Sequence, residues 1–273
     1  MDIAQHVPAP PSQWLRRMAK FGLTAKGIVY CLVGILAFMA AFELGSSSAQ
    51  RSDKTGVFQF ILEQSYGKVL LALIALGLFC YTLWRIIQAL KDPSQSAKGI
   101  GKRLRYAFSG LVYAALAYYA ANLVLGNGSS GNGDTRQTVA RELLQQPFGQ
   151  WLVGILAVGT AIAGFYQIYL ALSDKYKKRV QNASLKHDVE NTMIRAGKIG
   201  YVARGFVWLI IGYFFLQAAL QSDPGEAGGT GSAFAFLEGT SYGSYLLGAV
   251  ALGLVCYGVF MFMRARHENI DVF

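Results

Sequence analysis

Residues 241–254 read SYGSYLLGAVALGL, and close copies of this pattern occur at 65–78 (SYGKVLLALIALGL) and 147–160 (PFGQWLVGILAVGT). Each copy opens with an aromatic residue and a glycine, and a second glycine follows ten positions after the first. These glycines are Gly67/Gly77, Gly149/Gly159 and Gly243/Gly253. A pattern that recurs at nearly equal spacing indicates a chain built from tandem structural units.

A second pattern precedes each copy and aligns independently of it. The segments are KFGLTAKGIVYCLVG at 20–34, RLRYAFSGLVYAALA at 103–117 and KIGYVARGFVWLIIG at 198–212. They share a basic residue, a glycine seven positions later and an aromatic residue three positions beyond that. The offsets between the copies are 83 and 95 residues here and 82 and 94 for the first pattern. Two alignments with almost the same offsets predict three copies of one unit.

The composition places these units in a membrane. Hydrophobic residues make up 53% of the chain and charged residues 15%, whereas soluble domains usually have about 25% charged residues. Six apolar blocks reach or approach the roughly 20 residues that a helix needs to cross the hydrocarbon core. They are 23–42, 69–84, 106–126, 151–173, 206–220 and 245–263. Only helices satisfy their own backbone hydrogen bonds cheaply in lipid, so we predict six transmembrane helices.

The predicted fold is therefore an all-α polytopic membrane bundle of three tandem, parallel two-helix repeats around a pseudo-threefold axis. We place a disordered cytoplasmic N-terminus at 1–13 and the repeats at 14–92, 98–175 and 193–266. Between the two helices of each repeat, a Gly- and Ser-rich stretch leads to a short amphipathic segment, predicted to lie at the outer interface. The three segments are 57–64, 138–145 and 233–239.

The distribution of positive charge predicts the orientation. Twenty of the 25 Lys and Arg residues lie in the N-terminal flank, the 85–105 and 175–204 connections and the C-terminal end. The positive-inside rule then places both termini and the two basic connections in the cytoplasm. A net charge of +10 is fully accounted for by this topology and by contact with anionic lipids at the cytoplasmic face. It does not indicate a nucleic-acid partner.

These motifs carry a resemblance to a known family. The G-x-x-Y/W unit after a basic residue, the Y-G opening and the A-L-G-L middle of the second helix resemble a bacterial family known as a domain of unknown function (number twelve hundred and six). The resemblance covers most of the chain and implies three paired-helix repeats in the bacterial inner membrane. The second copy diverges most, with Arg105 where the others have Gly22 and Gly200. The resemblance implies no activity and no site residues.

No catalytic residue, cofactor or metal site is predicted. No His lies in a span, no Asp or Glu lies at mid-membrane, and Cys31, Cys80 and Cys256 lack a C-x-x-C spacing. The G-x-S-x-G pattern at 239–243 and the G-x-G-x-x-G pattern at 126–131 adjoin membrane helices. These motifs require a strand–turn–helix or a βαβ context, so the sequence favours a protein that is not an enzyme.

Small and polar residues in the spans are predicted to pack helices together. Small residues let helix backbones approach closely in lipid. The glycines assigned to packing are Gly27, Gly34, Gly77, Gly110, Gly159, Gly205, Gly212 and Gly253. Asn122 and Gln217 occupy equivalent positions near the outer end, where they are expected to form an interhelical hydrogen bond or a polar ring on the axis.

Three equivalent pairs stand at i, i+4 spacing about one turn inside the cytoplasmic end of each unit: Lys26/Tyr30, Ser109/Tyr113 and Arg204/Trp208. The members of each pair share a helical face. The basic side chains are either interfacial anchors that reach the headgroups or ligands that converge on the axis. In the second case, Lys26, Tyr30, Arg204 and Trp208 form a candidate contact for an anionic headgroup or small anion.

The leading hypothesis is a non-enzymatic accessory or scaffolding protein that contacts membrane partners or lipids. A passive channel or small-solute carrier along the pseudo-threefold axis is the first alternative, and a membrane enzyme is the second. Expected partners are the bilayer, anionic lipids at its cytoplasmic face and other membrane proteins.

Overall fold

The computed structural model describes residues 13–44, 48–91, 97–127, 135–173 and 187–267. The regular elements in these residues are all helical. Six long helices and three short ones alternate as long, short, long in each unit. They are α1 (Gln13–Ala41), α2 (Lys54–Leu62), α3 (Gly67–Lys91), α4 (Ala97–Leu125), α5 (Thr135–Leu144), α6 (Gly149–Leu172), α7 (His187–Gln221), α8 (Thr230–Glu238) and α9 (Gly243–His267). The N-terminal segment predicted to be disordered lies outside the described residues, apart from its last residue.

The six long helices confirm the predicted transmembrane spans. Each is long and apolar enough to cross a membrane. They extend beyond the apolar blocks because their ends carry interfacial residues that remain helical. The clearest case is α7, which begins at His187 and includes the acidic Asp188 and Glu190 in its first turn, where negative charge favours the helix dipole.

The Tyr-Gly or Phe-Gly motif forms the turn between each short helix and the long helix after it. A Cβ at Gly67 would lie 2.6 Å from the Leu62 carbonyl oxygen, and one at Gly149 would lie 2.7 Å from that of Leu144. No side chain fits there, so only glycine allows so tight a return. The aromatic residue before each glycine is exposed: Tyr66, Phe148 and Tyr242.

Two of the short helices, α2 and α8, pack into the bundle more deeply than interfacial helices would. Val57 and Phe58 of α2 and Phe234 of α8 are fully buried. The neighbouring 3-10 turn, Ala49–Arg51, packs on α8, where the Gly231 position lies against the Gln50 carbonyl. Helices α2 and α8 therefore cover the end of the bundle at which they connect the long helices of their units.

The first helix of each unit packs on the second helix of the neighbouring unit: α1 on α9, α4 on α3 and α7 on α6. At α1, a Cβ at Gly34 would come within 2.6 Å of the Ala251 carbonyl oxygen. At α7, a Cβ at Gly205 would come within 3.0 Å of the Gly164 carbonyl oxygen. Gly27 and Gly212 lie in the same two interfaces. At α4 the fit is looser, because a Cβ at Gly110 would come no closer than 3.5 Å.

Within the first and third units, the two long helices also pack on each other. A Cβ at Gly22 would lie 2.7 Å from the Tyr81 backbone nitrogen, and Gly200 makes the equivalent approach to Tyr257. One turn further along, Gly77 of α3 lies against the Ala25 side chain. The third unit repeats this contact between Gly253 and Ala203.

The second unit departs from this arrangement. Helices α4 and α6, both described over their full spans, share no extended interface. Arg105 and Phe108 stand where the other units have the glycine and alanine of the contact. A Cβ at Gly159 would meet nothing within 4 Å, so the predicted packing role of Gly159 is wrong. Two bulky side chains on α4 prevent the close approach, and an opening separates α4 from α6.

Burial follows the same division. The most apolar 18-residue stretch is 28% buried in α4 and 22% buried in α6, against 39–61% in the other four long helices. The second unit therefore presents more of its surface to lipid. The pseudo-threefold axis stays a prediction. The interface between neighbouring units occurs three times, whereas the contact between the two long helices of one unit occurs in the first and third units only.

Candidate anion-binding site

Lys26 is the most deeply buried basic residue in the described part of the chain, with 5% of its surface exposed. Its Nζ donates a hydrogen bond to the Tyr81 hydroxyl at 3.2 Å. The ammonium also lies 4.8 Å from the ring centre of Tyr81 and 4.9 Å from that of Tyr113. Lys26 therefore points into the bundle, towards α3 and α4, rather than out to the headgroups.

Arg204 of α7 approaches the same region from the third unit. Its guanidinium carbon lies 4.3 Å from the ring centre of Tyr257 and 5.1 Å from that of Tyr30. Those two rings pack edge to face at 4.8 Å, and Lys26 lies within 6.0 Å of both ring centres. The Nε of Arg204 is buried without a hydrogen-bond partner. The two predicted cations thus share the same pair of tyrosines.

Arg85, in the last turns of α3, extends the group towards the surface. Its Nε and Nη2 both donate to the Tyr81 hydroxyl, at 2.8 and 2.7 Å, and its Nη1 donates to Gln88 at 2.8 Å. The guanidinium also stacks over Trp84 at 4.6 Å. Together with Lys26, Arg85 makes the Tyr81 hydroxyl an acceptor for three N–H groups.

A fourth cation, Lys54, comes from the short helix α2. Helix α2 begins at Lys54, directly after its N-cap Asp53, and its buried face draws this end of the helix inward. The Nζ of Lys54 lies 5.0 Å from the ring centre of Tyr30 and 5.4 Å from that of Tyr113. A lysine that the sequence assigns to an outer connection therefore reaches the interior.

We call this group the cation–tyrosine cluster: Lys26, Tyr30, Lys54, Tyr81, Arg85, Tyr113, Arg204 and Tyr257. It draws on α1, α2, α3, α4, α7 and α9, and α6 contributes no member, because Ala163 occupies the position of Tyr81 and Tyr257. Within the described residues, the contacts of Lys26, Lys54 and Arg204 are aromatic rings and a phenol hydroxyl. No carboxylate is among them.

Among the contacts of the described residues, nothing compensates the charge of this group. A desolvated cation–π contact contributes about 2 kcal/mol, whereas removing an ion from water costs several kcal/mol. The rings also do nothing to cancel repulsion between cations that share them. The Tyr113 hydroxyl is buried without a hydrogen-bond partner as well. A bound anion would neutralise the charge and accept hydrogen bonds from these donors.

The structure brings Lys26, Tyr30 and Arg204 together, which corresponds to the second of the two arrangements that the sequence leaves open. The described ring contacts of Arg204 are Tyr30 and Tyr257, on the neighbouring α1 and α9, so the role of Trp208 stays a prediction. The Arg204 side chain extends across the bundle instead of along its own helix.

Gln217 donates its amide to the Tyr213 hydroxyl on the same helix at 2.9 Å. Asn122 is half-buried near the end of α4. Neither a polar ring nor a hydrogen bond between these two residues is among the described contacts, so their joint role stays a prediction.

Sequence reasoning missed the tyrosines on the second helices. Tyr81 and Tyr257 both lie three residues after the shared ALGL tetrapeptide, so the repeat alignment contained the signal. For Lys54 no such signal exists, because its position depends on how deeply α2 inserts.

The fold and its repeats define a class: multi-pass α-helical membrane proteins built from tandem two-helix units. The chain belongs to the family described as Domain of Unknown Function (DUF1206), whose model matches residues 21–92, 104–174 and 199–268. The resemblance seen in the sequence is thereby confirmed. The chain is also similar to the "Uncharacterized protein YxxB" of Bacillus subtilis (strain 168), with 30% identity over 260 residues, 94% of this chain and 92% of the relative. No solved structure matches the chain significantly.

Proposed function

We propose that this protein is a non-enzymatic accessory protein of the bacterial inner membrane whose cation–tyrosine cluster binds a phosphate-bearing anion. The observation that carries the proposal is the convergence of four basic side chains on shared tyrosine rings, with no carboxylate among the described contacts of Lys26, Lys54 and Arg204. The anion is either a lipid headgroup or a small solute, since both offer the same oxygens.

The proposal includes an orientation with both termini in the cytoplasm, supported by the bias of Lys and Arg. Exposed residues at the two ends provide a direct test in a variant whose three cysteines are replaced by alanine. Cysteine at Gln64 or Ser241 should react with an impermeant thiol reagent added to intact cells, and cysteine at Lys102 or Asn191 should not. Reversed labelling would refute the orientation.

Packing of the rings supports a binding protein over a passive conduit. The ring centres of Tyr81 and Tyr113 lie 4.7 Å apart, and those of Tyr30 and Tyr257 lie 4.8 Å apart. Rings in edge-to-face contact fill space that a water-filled path would need. A membrane enzyme is the remaining alternative, with no observation that favours it.

The proposal is tested by removing two positive charges from the cluster. A control variant loses two positive charges outside the cluster, so both variants have the same net charge. The test variant is Lys26→Gln with Arg204→Gln. The control is Lys20→Gln with Lys198→Gln, which are exposed, lie six residues earlier on the same two helices and remove the same charge. Purified proteins in neutral detergent are titrated with phosphatidylglycerol and, separately, with inorganic phosphate, and thermal stability is followed.

Wild type and control should be stabilised by at least one of the two anions, by about 2.7 kcal/mol at a hundredfold excess over Kd. The cluster variant should lose this stabilisation, because truncating one partner of a buried charge pair costs about 2–5 kcal/mol. Equal responses of all three proteins to both anions would refute the site.

A further inference from the structure

The opening between α4 and α6 is lined by an apolar surface. Tyr166 of α6 faces α4, since its hydroxyl accepts a hydrogen bond from Arg105 Nη1 at 3.0 Å. Ile162, Gly159 and Ile155 precede Tyr166 at helical spacing and therefore lie on the same face of α6. Both isoleucines are exposed, and the space over Gly159 is empty. Lipid can thus reach this face at Gly159, whereas the partner helix covers the equivalent Gly77 and Gly253 in the other two units.

One end of the opening carries positive charge. Arg105 is exposed at the edge of α4, and its guanidinium lies 5.4 Å from the ring centre of Tyr106 and 5.6 Å from that of Tyr166. In the orientation predicted from charge, this is the cytoplasmic end of the opening. An anionic headgroup from the adjoining leaflet meets a cation here, and its acyl chains meet the isoleucines.

A continuous series of cations and rings connects this edge to the interior. The Tyr106 ring contacts two guanidinium groups, since that of Arg85 also lies 5.2 Å from its ring centre. Arg85 then donates to the Tyr81 hydroxyl, to which Lys26 also donates. A cationic group therefore contacts a tyrosine at each step of this series, from the edge of α4 to Lys26.

We infer that the anion of the cation–tyrosine cluster is the headgroup of an anionic phospholipid, which enters laterally between α4 and α6. Arg105 receives the headgroup, Arg85 passes it inward, and the chains remain in the apolar opening. A soluble anion would need neither the opening nor its exposed isoleucines. The inference rests on the proposed function and adds the class of ligand and its route.

Filling the opening tests the route. Gly159→Trp places a large side chain where nothing lies within 4 Å, so the fold should tolerate it. Gly154→Trp is the matched control, because Gly154 is also on α6 with nothing within 4 Å but points about 140° away around the helix. The probe is phosphatidylglycerol bound from mixed micelles with phosphatidylcholine, and inorganic phosphate serves as competitor.

Gly159→Trp should lower the affinity for phosphatidylglycerol about tenfold or more, Gly154→Trp should leave it unchanged, and inorganic phosphate should not compete. Arg105→Gln, compared with the exposed Arg195→Gln, gives a second variant that adds no bulk to the opening, removes the charge at its edge together with the hydrogen bond to Tyr166, and should also weaken binding. Normal lipid binding by both Gly159→Trp and Arg105→Gln would overturn the inference.

The two proposals fail in different ways. If inorganic phosphate binds and Gly159→Trp has no effect while Lys26→Gln with Arg204→Gln abolishes binding, the anion is a solute and only the lateral route is refuted. If the cluster variant binds both anions as the wild type does, the proposed function itself is refuted.

Discussion

The first and second units start from the same sequence pattern and end in different packing. In the first unit, Gly22 and Ala25 of α1 let α3 approach until Tyr81 and Gly77 touch them. In the second unit, Arg105 and Phe108 take those positions, and Gly159 faces open space. Because the flanking interfaces between units form in both cases, the difference is local. A repeat can thus keep its place in the bundle while losing its internal contact.

The difference also shows what a glycine in a membrane helix signifies. Gly77, Gly159 and Gly253 are equivalent in the alignment, yet only the first and last lie against another helix. The residue opposite decides the outcome: alanine at Ala25 and Ala203 admits the contact, and phenylalanine at Phe108 prevents it. A small residue permits close packing, but the packing needs a small residue on both helices.

Replacing the equivalent glycines with leucine should give the largest difference in the free energy of unfolding. Gly253→Leu pushes a side chain into Ala203 and should cost about 3 kcal/mol or prevent folding, since overpacking a tight contact typically costs about 1–3 kcal/mol. Gly159→Leu enters free space and should be neutral. Thermal unfolding in detergent measures both, and equal losses would show that the second unit is also closed.

Alanine at the interfaces between units should produce a smaller, graded effect. Gly27→Ala and Gly205→Ala each place a Cβ at 3.0 Å or less from atoms of the facing helix and should cost about 1–3 kcal/mol. Gly110→Ala, at 3.5 Å, makes an ordinary contact and should cost little.

Ile28→Leu, next to Gly27 on a half-buried face, provides the control and should be close to wild type. If Gly110→Ala is as harmful as Gly205→Ala, the looser fit between α4 and α3 is not real.

The smallest effect concerns the charge that each unit supplies. The second unit has Ser109 where the first has Lys26. In anion-free detergent, Lys26→Met should raise the free energy of unfolding by about 1 kcal/mol, because replacing a buried charge with an apolar group relieves desolvation and repulsion. Ser109→Lys should lower it by a similar amount.

Phosphatidylglycerol should remove or reverse both differences, because the added lipid neutralises the extra charge. Thermal unfolding with and without the lipid gives the comparison. If neither substitution changes the free energy of unfolding, the cluster carries no uncompensated charge.

The fold was largely predictable from sequence, because six apolar blocks and two independent glycine alignments fix the helices and their repeat. The convergence of Lys26 and Arg204 was one of two arrangements that the sequence left open, since both residues occupy the same position in their units. The role of Trp208 stays a prediction, because i, i+4 spacing describes one helix, whereas the described ring contacts of Arg204 lie on two others. The position of Lys54 depends on the insertion of α2, which a short amphipathic pattern does not encode.

Joining three units in one chain has a consequence for what the bundle can do. A trimer of identical two-helix subunits would carry the same residue at all three equivalents of Arg105, so its three sides would be all closed or all open. Covalent fusion removes that constraint. Two units can keep the close contact between their long helices and supply Lys26, Arg204 and their tyrosines. The remaining unit can then differ and leave a single opening between its helices. The tandem arrangement thereby allows an otherwise symmetric bundle to admit a ligand from one side only.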